Sequence, residues 1–263
     1  MPSRPRTLTR LRTSRASVVV ADMKRALDHD TDTAIVAPDT RVRRAATETI
    51  GNLDKAALAL HTEAIVSVLN DPNVRVRQEA VVALGKLNET LLARYASAIV
   101  NVLADDNARV RLAAVETLSK LRPAALALHA GAIVGVLADA SVYVRIAAVE
   151  TLFNLDKPAL AQHASAIVGA LTDHNAGLRC MAVNLLSFLD KAELKQHAGA
   201  IVGVLADPDA FVRRVAVQTL GMLDKVALTL HAGAIANILA DSDAEVRHAA
   251  TVALRKLDQV AHH

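Results

Sequence analysis

Aliphatic residues recur along this chain in stripes with helical spacing. In residues 54–87, Val76, Ala80, Leu84 and Leu87 follow one another at intervals of four, four and three, the spacing of one face of an α-helix. Each block holds two such stretches, and a residue able to cap a helix stands before each. Asp54 precedes the first, with Asn88, Asp156, Asp190 and Asp224 in the same place further on. Arg122 takes that place once, followed by Pro123, which a helix tolerates in its first turn. Asn73 precedes the second stretch, and Asp39, Asn107, Ser141, Asn175, Asp209 and Asp243 are its equivalents. The pattern predicts a first helix ending at about Leu69, a turn at Asn70-Asp71-Pro72, and a second helix capped by Asn73.

The blocks repeat every 34 residues. Arg43, Arg77, Arg111, Arg145, Arg179, Arg213 and Arg247 keep this period, each after an aliphatic residue. Asp71, Asp105, Asp139, Asp173, Asp207 and Asp241 keep it too. So do His61, His129, His163, His197 and His231, with Tyr95 in the missing place. Six blocks run without a gap from Asp54 to Leu257, and a degenerate one precedes them at about residues 20–53. We number them repeats one to seven. The place of Ala80 is alanine in every repeat, which lets neighbouring backbones approach. A two-helix unit with one apolar stripe cannot bury that stripe alone. Stacked on its neighbours it can, so the sequence predicts an all-α chain folded as an α-solenoid.

The turn and second helix carry the pattern Asp-x-x-x-x-Val-Arg-x-x-Ala, as in DPNVRVRQEA at 71–80, DDNARVRLAA at 105–114 and DPDAFVRRVA at 207–216. The 34-residue period alone also matches tetratricopeptide repeats, but their Trp, Leu-Gly and Tyr places are not occupied so here. The pattern resembles HEAT repeats, in the short HEAT-like form also found in phycobilisome lyase-related proteins. It covers residues 54–257 well and 37–53 in part. The resemblance implies a right-handed superhelix with second helices on the concave side and first helices on the convex side. It also implies that the motif aspartates (Asp71, Asp105, Asp139, Asp173, Asp207, Asp241) and arginines (Arg77, Arg111, Arg145, Arg179, Arg213, Arg247) form a structural ladder between successive turns. Ala37 stands where repeat one should have its aspartate, so the ladder is expected to start weakly. The first helices lack the kinking proline of longer HEAT units and are expected to be straighter.

Composition sharpens this picture. Hydrophobic residues make up 52% of the 263, yet only 2% are aromatic and tryptophan is absent. Alanine, leucine and valine must fill the core, which suits thin layers of close helices. The single Cys180 allows no internal disulfide and favours a reducing, intracellular setting, most simply the cytoplasm. No apolar run approaches the ~18 residues of a membrane span. The net charge of +3 hides an asymmetry, because residues 1–25 hold seven basic groups against Asp22. The rest of the chain is slightly acidic, which argues against a large nucleic-acid surface on the folded body. Residues 1–19 read as a basic tail with the Arg/Ser/Thr composition of an organellar targeting segment, residues 20–257 as one solenoid, and 258–263 as a C-terminal tail.

No residue pattern asks for a metal or other cofactor. One histidine per repeat places equivalent side chains ~8–10 Å apart, too far to share a zinc ion. There is no HExxH and no His-Glu pair, no G-x-S-x-G and no phosphate-binding glycine loop. Aspartate and arginine columns repeated in nearly every unit suit structure, since catalysis needs one constellation. The recurring glycines (Gly131, Gly199, Gly233 and Gly135, Gly169, Gly203) are read as close-packing points. The chain is therefore expected to have no catalytic residues.

The residues that break the repeat are the informative ones. In the second helix, the places two, five, nine, twelve and thirteen after the cap lie opposite the stripe and should line the concave groove. Early repeats place Arg41, Arg44, Arg75 and Arg109 there. Later ones place Tyr143, Ile146, Phe153, Cys180, Phe188, Phe211 and Met222 there, including all three phenylalanines. Such a surface suits another protein, presenting an acidic amphipathic segment. A lyase-like auxiliary subunit, with a bound tetrapyrrole or a reactive Cys180, is a second reading. Nucleic-acid binding through the arginines and tail is a third. The last stripe has no polar capping helix after Leu257, which points to end-to-end self-association or to a longer array.

Overall fold

A computed structural model describes residues 31–258. The basic tail, the start of repeat one and residues 259–263 lie outside the described residues. The described chain forms two compact segments, 31–87 and 88–258, which part at the boundary between repeats two and three. Only helices, turns and bends occur among the described residues.

In the N-terminal segment, Thr31–Ile35 and Thr40–Gly51 form repeat one, while Lys55–Leu60, Thr62–Ser67 and Val74–Leu84 form repeat two. The C-terminal segment repeats this arrangement five times. Its second helices are Ala108–Leu118, Val142–Leu152, Ala176–Ser187, Ala210–Leu220 and Ala244–Asp258. The last helix therefore takes in Asp258. Most first helices close with a short 3-10 turn, such as Val204–Ala206, before the aspartate.

Capping sets where these helices begin. Asp54, Asn88, Asp156, Asp190 and Asp224 accept amide hydrogens of the first turn. Asp39, Asn73, Asn107, Asn175, Asp209 and Asp243 do the same for second helices. Each such cap contributes about 1 kcal/mol. Ser141 starts its helix without a side-chain cap bond. Its amide is held instead by Asp139.

The predicted stripe is the core. Val76, Ala80, Leu84 and Leu87 are buried, as are their equivalents Val144, Ala148, Leu152 and Leu155. Burying each large aliphatic side chain contributes roughly 1.5–3 kcal/mol. Within each segment, successive second helices touch along more of their length than successive first helices do. The alanine column explains it, since a methyl keeps the axes close.

Two expectations about the first helices fail. They are not uniformly straighter: in repeats two, four and five they break at His61, His129 and His163. In repeats three, six and seven they are continuous. His-Ala-Gly occurs at the break in repeat four and inside the unbroken helix of repeat six, so the histidine alone does not cause it. Nor are the recurring glycines close-packing points. A Cβ at Gly135, Gly169, Gly199, Gly203 or Gly233 would meet nothing within 4 Å, and one at Gly131 only the edge of His163 at 3.9 Å. The tight places are Gly177 and Gly221, whose added Cβ would lie 3.1 Å from Asn175 Oδ1 and 3.2 Å from Ala253 Cβ.

Candidate functional site

The second helices present two edges with different chemistry. At their N-terminal, or turn, edge each aspartate gathers bonds from two repeats. Asp139 Oδ1 accepts the Ser141 amide at 2.7 Å. Its carboxylate also takes two bonds from Arg111 of the preceding repeat, Nε at 2.6 Å and Nη2 at 2.8 Å. Arg111 Nη1 meanwhile donates to the Asp105 carbonyl of its own turn at 2.7 Å. The same arrangement joins Arg145 to Asp173, Arg179 to Asp207 and Arg213 to Asp241. In the N-terminal segment, Arg43 is paired with Asp71. The expected weak start is absent, because that rung uses Asp71 and does not involve the side chain of Ala37. Arg77 and Arg247 bond the carbonyls of their own turns, Asp71 and Asp241.

These pairs are mostly buried. For Asp139, Asp173 and Asp207, burial pushes the carboxyl upward. The arginine bond, the cap amide and nearby arginine charge outweigh it and hold each below the usual aspartate range. Asp241 is also lowered, chiefly by its bond to Arg213.

The opposite, C-terminal edge of the second helices holds a rung that the helical wheel missed. The residue thirteen places after the cap reaches back to the helix end of the preceding repeat. Lys86 Nζ donates to the Gly51 carbonyl at 2.6 Å, Lys256 Nζ to Gly221 at 2.6 Å and Asn154 Nδ2 to Ser119 at 3.1 Å. The recurrence of Lys86, Lys120 and Lys256 at the repeat period was a signal for it. In repeats five and six that place holds Phe188 and Met222, which cannot donate. Phe188 instead packs edge-to-face on Phe153 at 5.3 Å between ring centroids, an arrangement worth about 0.5–1.5 kcal/mol beyond its area.

The expected groove residues divide accordingly. Tyr143, Phe188, Phe211 and Met222 are 70%, 53%, 52% and 49% exposed. Tyr143 and Phe211 lie at the turn edge of this face, Phe188 and Met222 at the other. Ile146 and Phe153 are half-buried. Cys180 does not line the face: it is 5% exposed, because its side chain is shorter than Ile146 and Arg214 in the same place of adjacent repeats. Burial pushes its thiol pKa up, away from the activated thiolate that a reactive cysteine needs. Arg41, Arg44 and Arg75 are exposed on the N-terminal segment, and Arg109 on the C-terminal segment. Leu60 and Leu128 are exposed on first helices, and Leu230 is exposed together with Val226 one turn earlier; at the repeat period Arg94, Gln162 and Gln196 separate the three leucines.

Among the described residues, no group of three or more His, Cys, Asp or Glu side chains could hold a metal ion. No described helix is long and apolar enough to cross a membrane.

Comparison with known proteins places the fold. Residues 31–119 match HEAT repeats. No curated protein sequence matches. A crystal structure of an archaeal HEAT-like repeat protein from Thermococcus onnurineus NA1 superposes with a TM-score of 0.56 at 18% identity, covering 85% of this chain and 98% of the other. A designed armadillo repeat protein gives a TM-score of 0.46 at 18% identity, covering 86% of this chain and 98% of its own. With its capped helix pairs, its repeat period and its recurring Asp-Arg turns, the chain has the fold of HEAT-like repeat proteins, and its residues 31–119 match the HEAT-repeat family.

Proposed function

We propose that this protein is a non-enzymatic scaffold that binds an amphipathic segment of another protein across the second helices of repeats four to six. The observation that carries this reading is the exposure of Met222 and of Tyr143, Phe188 and Phe211, three of the five aromatic residues of the chain, on second helices of one segment. Aromatic side chains standing half out of a rigid surface are typical anchors for a partner. Arg109, exposed on the same segment, selects for acidic character.

The test compares quantitative pull-downs of the wild-type chain, Phe188→Ala/Phe211→Ala and Phe188→Lys. The lysine restores the donor found in other repeats, so that variant is expected to keep its helicity and melting temperature. Both variants should lose the same partner. A partner retained by both would overturn the proposed face.

A further inference from the structure

Arg214 differs from every ladder arginine. It lies five places after its cap, at the centre of the second-helix face of repeat six, and is half-buried. Its guanidinium stacks on the Phe211 ring, 4.7 Å from the centroid. Its buried Nε has no hydrogen-bond partner. Its nearest carboxylate, on the largely exposed Glu245, stands 3.9 Å from Nη1. The adjacent Arg213 engages Asp241 through Nε and Nη2, both at 2.7 Å. Arg214 is thus oriented by an aromatic ring and only loosely neutralised.

One helical turn further along the same helix, at Gln218, a cleft of about 270 Å³ opens between the second helices of repeats six and seven. Gly221, Ala249, Val252 and Ala253 supply its apolar wall, and His248 stands at its margin. Lys256 also borders it but is committed to the Gly221 carbonyl. Beside the cleft the two helices approach closely at Gly221, where an added Cβ would lie 3.2 Å from Ala253.

We propose that Arg214 and this cleft form one docking subsite for a partner helix that carries an aspartate or glutamate three or four residues from a leucine, methionine or phenylalanine. The carboxylate displaces Glu245 and meets the guanidinium fork, whose geometry favours two-oxygen acceptors. The apolar side chain enters the cleft one turn away, the distance between neighbours on one helix face. Phe211 holds the guanidinium in place. The subsite rests on the scaffold reading above and adds the chemistry of the occupant.

A display library of 16-residue peptides, selected on the intact protein, tests it. Enriched sequences should pair an acid with a large apolar residue at helical spacing. A synthetic consensus peptide should bind Arg214→Met about ten-fold or more weakly, as truncating one member of a desolvated charge pair does. It should bind Glu245→Gln more tightly, a gain that misfolding cannot produce. Enriched peptides without an acid, or affinities indifferent to both substitutions, would overturn the subsite. Peptides that need Phe188 but ignore Arg214 would overturn it while sparing the scaffold reading. A library yielding no binder sensitive to either Phe188→Ala or Arg214→Met would bring down both.

Discussion

The two edges of the second-helix layer obey different rules. At the turn edge, the same aspartate and arginine recur, and each observed pair has the same bonds in the same places. At the opposite edge, the rung is lysine, asparagine, phenylalanine or methionine, and the stack persists through all of them. A buried charge cannot lose its partner cheaply, so the turn edge is held constant. A solvent-facing helix end can have its carbonyls hydrated instead, so the other edge is free to acquire a surface of its own. Irregularity in a repeat protein therefore points to function most clearly where the interaction it replaces was dispensable.

The contrast is broken most directly by removing a turn-edge partner. Asp207→Ala leaves the Arg179 guanidinium buried without its carboxylate and is expected to cost about 3 kcal/mol or more, read by chemical denaturation. Hydrogen exchange should show the opening centred on repeats five and six. The pH dependence has a fixed sign. The folded values of Asp139, Asp173, Asp207 and Asp241 are depressed, so their contribution is complete above the ordinary aspartate value. It is lost as pH falls through the folded values. Melting temperatures that hold steady as the pH is lowered well below 3.8 would contradict the ladder's role.

Glu79 sharpens the comparison from the middle of a helix. It occupies a column that is alanine or another apolar residue in the other repeats, and its Oε2 is buried without a partner. Burial raises its pKa, Glu48 adds to the rise, and Arg44 and Arg75 oppose it. A raised carboxyl favours the folded state only while protonated, so that contribution fades as pH rises through the folded value. Glu79→Gln is therefore expected to stabilise the protein by about 1 kcal/mol at neutral pH, with a smaller gain in acid. Equal gains at pH 7 and pH 4 would refute this account.

The smallest effects come from the glycines. Gly199→Ala and Gly233→Ala place a methyl in open space within α-helices and should each stabilise by about 0.5–1 kcal/mol. Gly221→Ala must push against Ala253 and the Gln218 carbonyl, so its melting temperature should fall below that of either substitution. The reverse order would show that the first-helix layer is the tighter of the two.

The sequence made the repeats, their caps and the buried stripe readable because each constraint is stated several times over. Val76, Ala80, Leu84 and Leu87 sit where the spacing puts them. A helical wheel gives direction around an axis, but not what lies beyond the helix end. That is why Lys86, Asn154 and Lys256 read as groove residues, although they tie neighbouring helices together. Side-chain length was the other blind spot. Cys180 shares its wheel position with Ile146 and Arg214 but is too short to reach the surface. The breaks at His61, His129 and His163 had no local signature, as the unbroken helix through His197 shows. Arg214 escaped notice as a candidate because its significance lies in unmet hydrogen bonding and a stacked ring, neither of which a one-dimensional pattern records.

Each turn-edge pair joins an arginine to the aspartate 28 positions later. A module of 34 residues supplies one of each. Duplicating or excising a whole interior module would leave no orphaned charge, whereas removing part of a module that carries only the arginine or only the aspartate would orphan its partner. The bonding scheme thus tolerates growth and shrinkage in whole units, and a gene encoding it can change the length of the binding surface without redesigning the joints.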